Sequence, residues 1–535
     1  MSFLAGSSRV TGNPEVDRTR GIVHLDYFWL ADHSSKIAGS LPALTKLSSI
    51  RPNADTPSTL VQNQGGQVQA KLLVLFVLFI AFASIGARTA DNPVGLWTSE
   101  GYGLFFHIDP SRIAASEITS VSCLPAWNAG RIADQGDAWV FQGGFASGDE
   151  VIRIYPGANS NKAVLRRSDD MAAMVLDRVS SPPPSCQRPV KDTPLANYDV
   201  LWTTFAENYP FFELHGVDWD AVDRQFRPLV ASKTTPDELF SIFRQMLEPL
   251  RDSHVLLEVL PPGTPRGKDW LKTPLKEVWL HKPDLEPFED ADFDRANEII
   301  ESRYIDGKVQ TFCRGQIRFG LMGSGQVGYL GVLSFHQYTT DDDLLAGLAC
   351  IRAAGDAIFA QTRNVKGLII DVRSNGGGED AFVLELASRL TDRRYLAFGK
   401  QARITSEKKV RFTSRDPIFV EPSRGPKYLG EAVLLTGRHS ASAAETFTMS
   451  LMGRQPEICR IGENTQGVFS DVLDRRLPNG WRLVMPNEIY VTADGKSFDV
   501  AGVPPHLGVA GFSRKDFGSE TDPALEKALA LLISD

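Results

Sequence analysis

The sequence predicts a mixed fold: an α/β domain in the C-terminal half, a helical segment before it, and a small β domain nearer the start. Three patterns carry this reading. Short alternating strands separated by Gly, Asp and Ser turns run from 92 to 180. Three helical stretches with apolar residues three and four apart occupy 192–250. From 327 onward strands and helices alternate, and the strands are apolar throughout, which fits a sheet covered on both faces.

At 535 residues the chain is too long for one core and suggests two to four domains. Hydrophobic residues make up 42% and charged residues 23%, an ordinary balance for a globular protein. The net charge of -8 argues against a nucleic-acid partner, because phosphate contacts need a basic face. The five cysteines form no CxxC pair, and HExxH and clustered His/Cys spacings are absent, so no metal and no organic cofactor is implied.

Residues 1–67 are mixed in composition, without a helical period, and stay unassigned. Leu72–Ala87 is an uncharged apolar run behind Lys71. It is short for a membrane span, which needs about 20 apolar residues. Small residues follow it, with candidate cleavage points after Ala83, Ala87 or Ala90. Two readings of 68–90 stay open: a signal peptide whose true start is Val68, or a signal anchor that would tie the protein to a membrane. Both put the remainder outside the cytoplasm, periplasmic or secreted.

The β domain spans 92–186, with GYGLFFHI, DAWVFQGG, EVIRIYP and AVLRRS as strands. Cys123 and Cys186 flank it; they could pair in an oxidising compartment or remain unpaired. The SSPPPS segment at 180–185 reads as an extended linker. A helical cap follows over 190–258, its third helix starting at Thr234 or Thr235 ahead of Pro236-Asp237-Glu238. Residues 259–325 read as an irregular connection. Over 326–515 come the strand VGYLGVLSF, the helix 341–362, the strand VKGLIIDVRSN, the helix EDAFVLELASRL, the strand AVLLTG and the helix AETFTMSLMG. GSGQVG at 323–328 matches GxGxxG but precedes its strand, the reverse of a dinucleotide site, and reads as a loop.

Two of these strands end in unusual loops. One is Asp371-Val-Arg373-Ser-Asn375 followed by Gly376, Gly377 and Gly378. Consecutive glycines let backbone N–H groups converge, as an oxyanion site requires, although a bare glycine triplet also serves as a flexible turn. The other is Gly437-Arg-His439-Ser440-Ala-Ser442-Ala443-Ala-Glu445, running straight into a helix. A serine there meets amides and a helix dipole that favour negative charge, yet by itself reads as an N-cap with capping-box spacing to Glu445.

Together the two loops resemble the grammar of the S41 peptidases, the tail-specific or C-terminal-processing enzymes: Asp-x-Arg-x-Asn-Gly-Gly-Gly, then a strand and Ser-Ala-x-Glu. The family includes the archaeal tricorn core and the retinoid-binding repeats of a photoreceptor matrix protein. The resemblance covers roughly 195–510, omits the β domain and implies a ClpP/crotonase-like sheet with helices. It makes Ser442 the nucleophile. Its own N–H or that of Ala443, with the amide of Gly376 or Gly377, would hold the oxyanion. Processing peptidases take their base from a lysine in Thr-x-Gly-Lys-Gly; here Thr465-Gln466-Gly467-Val468 has valine in that place. Tricorn-like members use a Ser-His pair from the helical cap, which Ser253-His254 matches. That makes His254 the base, with His439 as a rival, since a neutral imidazole titrates in the useful range. The family's orienting glutamate near the C-terminus is replaced by Asp499, and His506 stands where the pattern has aspartate. Ser253 would share that orienting role.

The resemblance therefore implies a serine peptidase acting on peptide or protein substrates through an acyl-enzyme. The alternative is a non-catalytic binder of apolar ligands or peptides on the same fold. A PDZ module, common in the family between cap and sheet, is expected to be absent or much reduced over 259–325.

Overall fold

The computed structural model describes residues 92–533 apart from 145–149, 168–172, 262, 265–273, 281–289, 405–409 and 512–513. The expectations for 1–67 and for 68–90, Leu72–Ala87 included, lie outside the described residues.

Eight antiparallel strands between Gly95–Ser99 and Met174–Val179 pair in chain order, and the last pairs with the first to close a barrel. Alternation sends Ile113 and Ala115 inward from one strand, Ile152 and Ile154 from another. With Trp97, Phe106, Phe141 and Leu165 they fill the interior. Closure leaves no strand edge exposed. Cys123 and Cys186 are joined in a disulfide that ties the barrel to the short 3-10 helix Pro184–Gln187 across 63 residues of chain. A loop of that length predicts that Cys123→Ser costs about 4 kcal/mol of unfolding free energy, read by chemical denaturation.

Three helices follow, Pro194–Asn208, Trp219–Phe226 and Pro236–Leu247. Each starts on a side chain that accepts an orphan N–H: Thr193 from Ala196, Asp218 from Ala221, Thr235 from Glu238. Glu238 returns the bond to Thr235, completing a capping box. Leu201, Phe205, Val222, Leu239 and Phe243 then pack into the same core as the barrel interior.

Residues 259–325 depart from the irregular connection expected. Leu256–Val259 pairs with Lys276–Trp279 on one side and Arg482–Pro486 on the other, in a four-stranded sheet that ends at Val472–Arg476. The helix Asp290–Arg303 and the strands Gln310–Phe312 and Ile317–Met322 follow. The helix is hard to read from sequence because DADFDRANEIIESR is charged at half its positions and buries only a narrow stripe around Ala296, Ile299 and Ile300.

The central sheet has seven strands in the order Gln310–Phe312, Ile317–Met322, Val327–Val332, Gly367–Asp371, Glu431–Thr436, Cys459–Gly462 and Leu507–Gly508. The first three are antiparallel; from Val327–Val332 onward neighbours run parallel. Both faces are covered. Leu368 and Ile370 enter one core with Ile351, Ile358, Phe382 and Phe447 of the helices Leu344–Gln361, Asp380–Ala387 and Ala443–Ser450. Ile369 enters the other with Ile300, Leu525 and Ala528. A further disulfide, Cys313–Cys350, pins the sheet's antiparallel end to the Leu344–Gln361 helix. The strand Tyr395–Ile404 pairs with Asp416–Val420 and Glu488–Val491 in a smaller sheet beside it.

The glycine loop and the serine loop leave the C-terminal ends of Gly367–Asp371 and Glu431–Thr436, adjacent parallel strands. Open α/β sheets carry their sites at such ends.

Candidate active site

Backbone bonds hold the glycine loop rigid. Asn375, fully buried, donates through Nδ2 to the Val332 carbonyl at 3.1 Å and accepts the Gly377 N–H on Oδ1 at 2.9 Å. The Phe335 N–H meets the Gly377 carbonyl, and the Glu379 N–H meets that of Phe335. Gly378 has φ +133°, and a Cβ there would lie 2.2 Å from the Phe335 backbone, so only glycine lets the loop lie against that strand end. Arg373, behind the loop, is clamped by Asp371 and Asp522 at 2.6 and 2.7 Å.

The serine loop is sewn to it. Ser440 Oγ donates to the Val372 carbonyl at 2.8 Å, and the Ala441 N–H to the Asn375 carbonyl at 3.1 Å. Ser442 then adopts φ 52°, ψ -117° and begins the helix Ala443–Ser450. That left-handed φ costs a non-glycine residue about 1–2 kcal/mol. The Ser442 N–H is committed to the Val468 carbonyl at 3.1 Å and to Glu445 Oε2 at 3.2 Å. Ala443, the first helical residue, has no intrahelical acceptor for its own N–H.

Glu445 does far more than the capping-box spacing suggests. Its buried carboxylate also accepts from Thr465 Oγ1 at 2.5 Å, the Gly467 N–H at 2.5 Å and the Val468 N–H at 2.7 Å. Burial pushes the carboxyl up to about 7 against the pull of those bonds. Four donors converge on one all-acceptor group, which an amide cannot reproduce. Glu445→Gln is expected to lower unfolding free energy by about 1–3 kcal/mol in urea titrations. The sign with pH is also set. A raised folded value favours folding below about 4.5 and withdraws that contribution as pH rises through about 7, a slope the glutamine variant lacks.

His254 arrives from the other side. Arg251, at φ 48°, turns the chain out of a 3-10 helix and sends Asp252, Ser253 and His254 inward, each 6% exposed or less. Asp252 Oδ1 accepts the His254 N–H at 2.9 Å, and its Oδ2 accepts the Tyr209 hydroxyl at 2.8 Å. The antiparallel pairing of Leu257 with Leu483 anchors the segment just beyond. Gln466 Nε2 donates to Ser253 Oγ at 3.0 Å, while the Gln466 N–H meets the Ser440 carbonyl. One loop, 465–470, thus touches both sides: Val468 holds Ser442, Gln466 holds Ser253, and the Ser470 backbone lies beside the His254 ring. Burial pulls His254 below the usual imidazole range, opposed by the charges of Asp252 and Asp471.

The acidic groups acting on His254 are therefore Asp252 and Asp471. Asp499 is buried, accepting from Ser497 Oγ at 2.6 Å and from the Tyr490 N–H at 3.3 Å through Oδ2, while Oδ1 has no hydrogen-bond partner. Burial, with Glu445 and Asp252 adding to it, lifts Asp499 to about 7. His439 stacks edge to face on Phe293 in a cavity of about 50 Å³ shared with Asp371, Arg373 and Glu463, and burial drops it to about 4. His506 receives the Arg460 N–H on Nδ1 and is partly exposed. Tyr209 carries no motif that would mark it, and Gln466 lies in the Thr465-Gln466-Gly467-Val468 segment, where the sequence drew attention only to Val468. Asp252 and Glu445 were flanking letters of motifs already noticed. Among the described residues no group of three His, Cys, Asp or Glu could hold a metal ion.

Residues 326–509 match the family model described as peptidase family S41, and 191–248 match the tricorn protease C1 domain. A candidate peptidase from Parabacteroides merdae ATCC 43184 is similar in structure, 25% identical, with a TM-score of 0.51 over 64% of this chain and 98% of its own. Mature CPAF complexed with lactacystin aligns at 12% identity and TM-score 0.46, covering 64% of this chain and 97% of that one. The photosystem II D1 C-terminal processing protease aligns at 15% and 0.37, covering 65% and 98%. No curated protein matches the sequence.

Proposed function

We infer that this chain, a serine peptidase of family S41 by its domain at 326–509, cleaves peptide bonds through Ser442 as nucleophile and His254 as general base. Ser442 Oγ attacks the substrate carbonyl while His254 takes its proton. The tetrahedral oxyanion is received by the Ala443 amide together with an amide of the glycine loop, Gly376 or Gly377; Asn375 holds the Gly377 N–H in place, and the Ser442 N–H is spent on Val468 and Glu445. His254 returns the proton to the leaving amine, and water repeats the cycle on the acyl-enzyme.

The observation that carries this reading is the strained Ser442, held at a helix start between the glycine loop and the 465–470 loop that reaches Ser253 and His254. A serine serving only as a cap has no need of a left-handed φ. Asp252, bonded to the backbone of the His254 turn and acting on its ring, is the better-supported orienting carboxylate. Asp499 acts behind it, as a buried acid facing Asp252 and Glu445. The three helices at 194–247 form a cap that delivers Ser253-His254. Two disulfides among the described residues support an extracytoplasmic location, where thiols oxidise and stay oxidised.

The test is acyl-enzyme trapping. Incubation with an activated ester, followed by acid quench and peptide mapping, is expected to find the acyl group on Ser442 alone, with a burst of released alcohol. A linear time course with no modified serine would favour the binding-protein alternative.

A further inference from the structure

Lys400 lies mid-strand in Tyr395–Ile404 with its side chain 2% exposed, and no step above uses it. Burying an ammonium costs several kcal/mol unless carboxylates meet it. Two do: Asp471 Oδ2 at 2.6 Å and Asp380 Oδ2 at 3.2 Å, with the Tyr490 ring 4.9 Å away. Although burial opposes its charge, Asp471, Tyr490, Asp380 and Glu488 hold the ammonium well above the ordinary lysine range. It is a permanent cation, unsuited to act as a base.

Its partners lead to every part of the site. Asp380 opens the helix that follows the glycine loop and accepts Thr446 Oγ1, on the Ser442 helix, at 2.6 Å. Asp471 follows Ser470 and acts on the His254 ring, and its N–H donates to the Tyr490 hydroxyl at 3.4 Å. The N–H groups of Asn487 and Glu488 donate to Ser470 Oγ, and Glu488 Oε1 accepts the hydroxyl of Tyr102 from the barrel.

We propose that Lys400 is a positioning residue: its ammonium, clamped between Asp380 and Asp471, ties the glycine-loop helix and the Ser442 helix to the loop beside His254, and offsets the charge of Asp471 on that ring. The inference rests on reading Ser442 and His254 as a catalytic pair. Lys400 touches no reacting atom and acts through its two carboxylates.

Charged groups face His254 from both elements packed on it. Asp252 lies in its own turn, with Tyr209 bonded to it and Asp499 acting on it; Asp471 and the Ser470 carbonyl belong to the facing loop. Removing the lysine leaves Asp471 unopposed, stabilises the imidazolium and moves the titration of His254 up. Removing Asp471 moves it down. A lysine that served packing alone would leave the His254 midpoint where it is when replaced.

The experiment follows the His254 Cε1–H resonance by NMR through a pH titration in histidine-labelled protein, assigned by its loss in His254→Ala. Lys400→Met is expected to raise the midpoint by about half a unit, Lys400→Arg to restore it, and Asp471→Asn to lower it. In peptide hydrolysis Lys400→Met is expected to lose on the order of 10–100-fold in kcat with KM within about twofold. Asp471→Asn keeps the shape of a half-exposed side chain and leaves Asp380 on the ammonium, so it reads the same coupling from the other partner where Lys400→Met fails to fold. An unmoved midpoint in Asp471→Asn, or shifts of the same sign in it and Lys400→Met, overturns the proposal. The NMR arm reads the lysine whether or not the protein hydrolyses peptides, so failure of the catalytic reading shows separately as absent wild-type turnover.

Discussion

Replacing Ser442 by alanine is expected to lower kcat/KM for peptide hydrolysis by about 10⁴-fold or more while leaving the thermal midpoint within about 2 °C of wild type. The two halves of that expectation have separate causes. In the proposed mechanism the hydroxyl is the attacking group, so its loss would remove the covalent route and leave only what the oxyanion amides contribute. The backbone bonds that hold position 442, its N–H to Val468 and Glu445 and the Ala441 N–H to Asn375, do not involve the hydroxyl. Alanine has the same Cβ as serine and inherits the same left-handed φ. Glycine at 442 would lose activity equally and gain stability, because it carries no penalty at φ 52°.

The second large effect belongs to His254. Alanine there is expected to lower kcat by on the order of 10³–10⁴-fold and to abolish the acid limb of the pH profile. With His254 as the proposed base, that limb in the wild type would report the imidazole. Burial lowers its value from 6.5, and the base must be neutral, so activity rises with pH through a midpoint below 6.5. Stability follows the same sign: a buried neutral histidine contributes above its unfolded value and loses that contribution as pH falls. The variant should therefore be less sensitive to acid than the wild type. A wild-type limb well above 6.5, or an unchanged limb in His254→Ala, would assign the proton transfer to another group.

How far these residues were legible in the sequence follows the range of the interactions involved. The α/β core was legible because strands such as Gly367–Asp371 are apolar at every position, and Leu368 and Ile370 do serve one core while Ile369 serves the other. The helix start at Thr235, one of the two positions the sequence offered, depends on residues three positions apart, so it could be read locally. Barrel closure could not: it joins Leu96 to Val179, and nothing in either strand names the other. The Cys313–Cys350 disulfide was invisible for the same reason.

Within the site the same division holds. Ser442 and Ser253-His254 sit in short motifs, so they could be singled out locally as candidates. The Asn375 side chain holds the Gly377 N–H, a contact the run of glycines conceals. Asp499 stood in the family's carboxylate position, but Asp252 and Asp471 are the acids that act on the histidine. Lys400, in an unremarkable strand sequence, acquires meaning only when Asp380 and Asp471 converge on it from segments far apart in the chain.

The central claim, that Ser442 is activated by His254, is tested most directly by labelling with an activated phosphonate and reading intact mass and the modified peptide. The account predicts one adduct per chain, on Ser442, forming faster as pH rises through the His254 titration and slowing by orders of magnitude in His254→Ala. Labelling of Ser442 at an undiminished rate without His254, or an adduct on another residue, would contradict it.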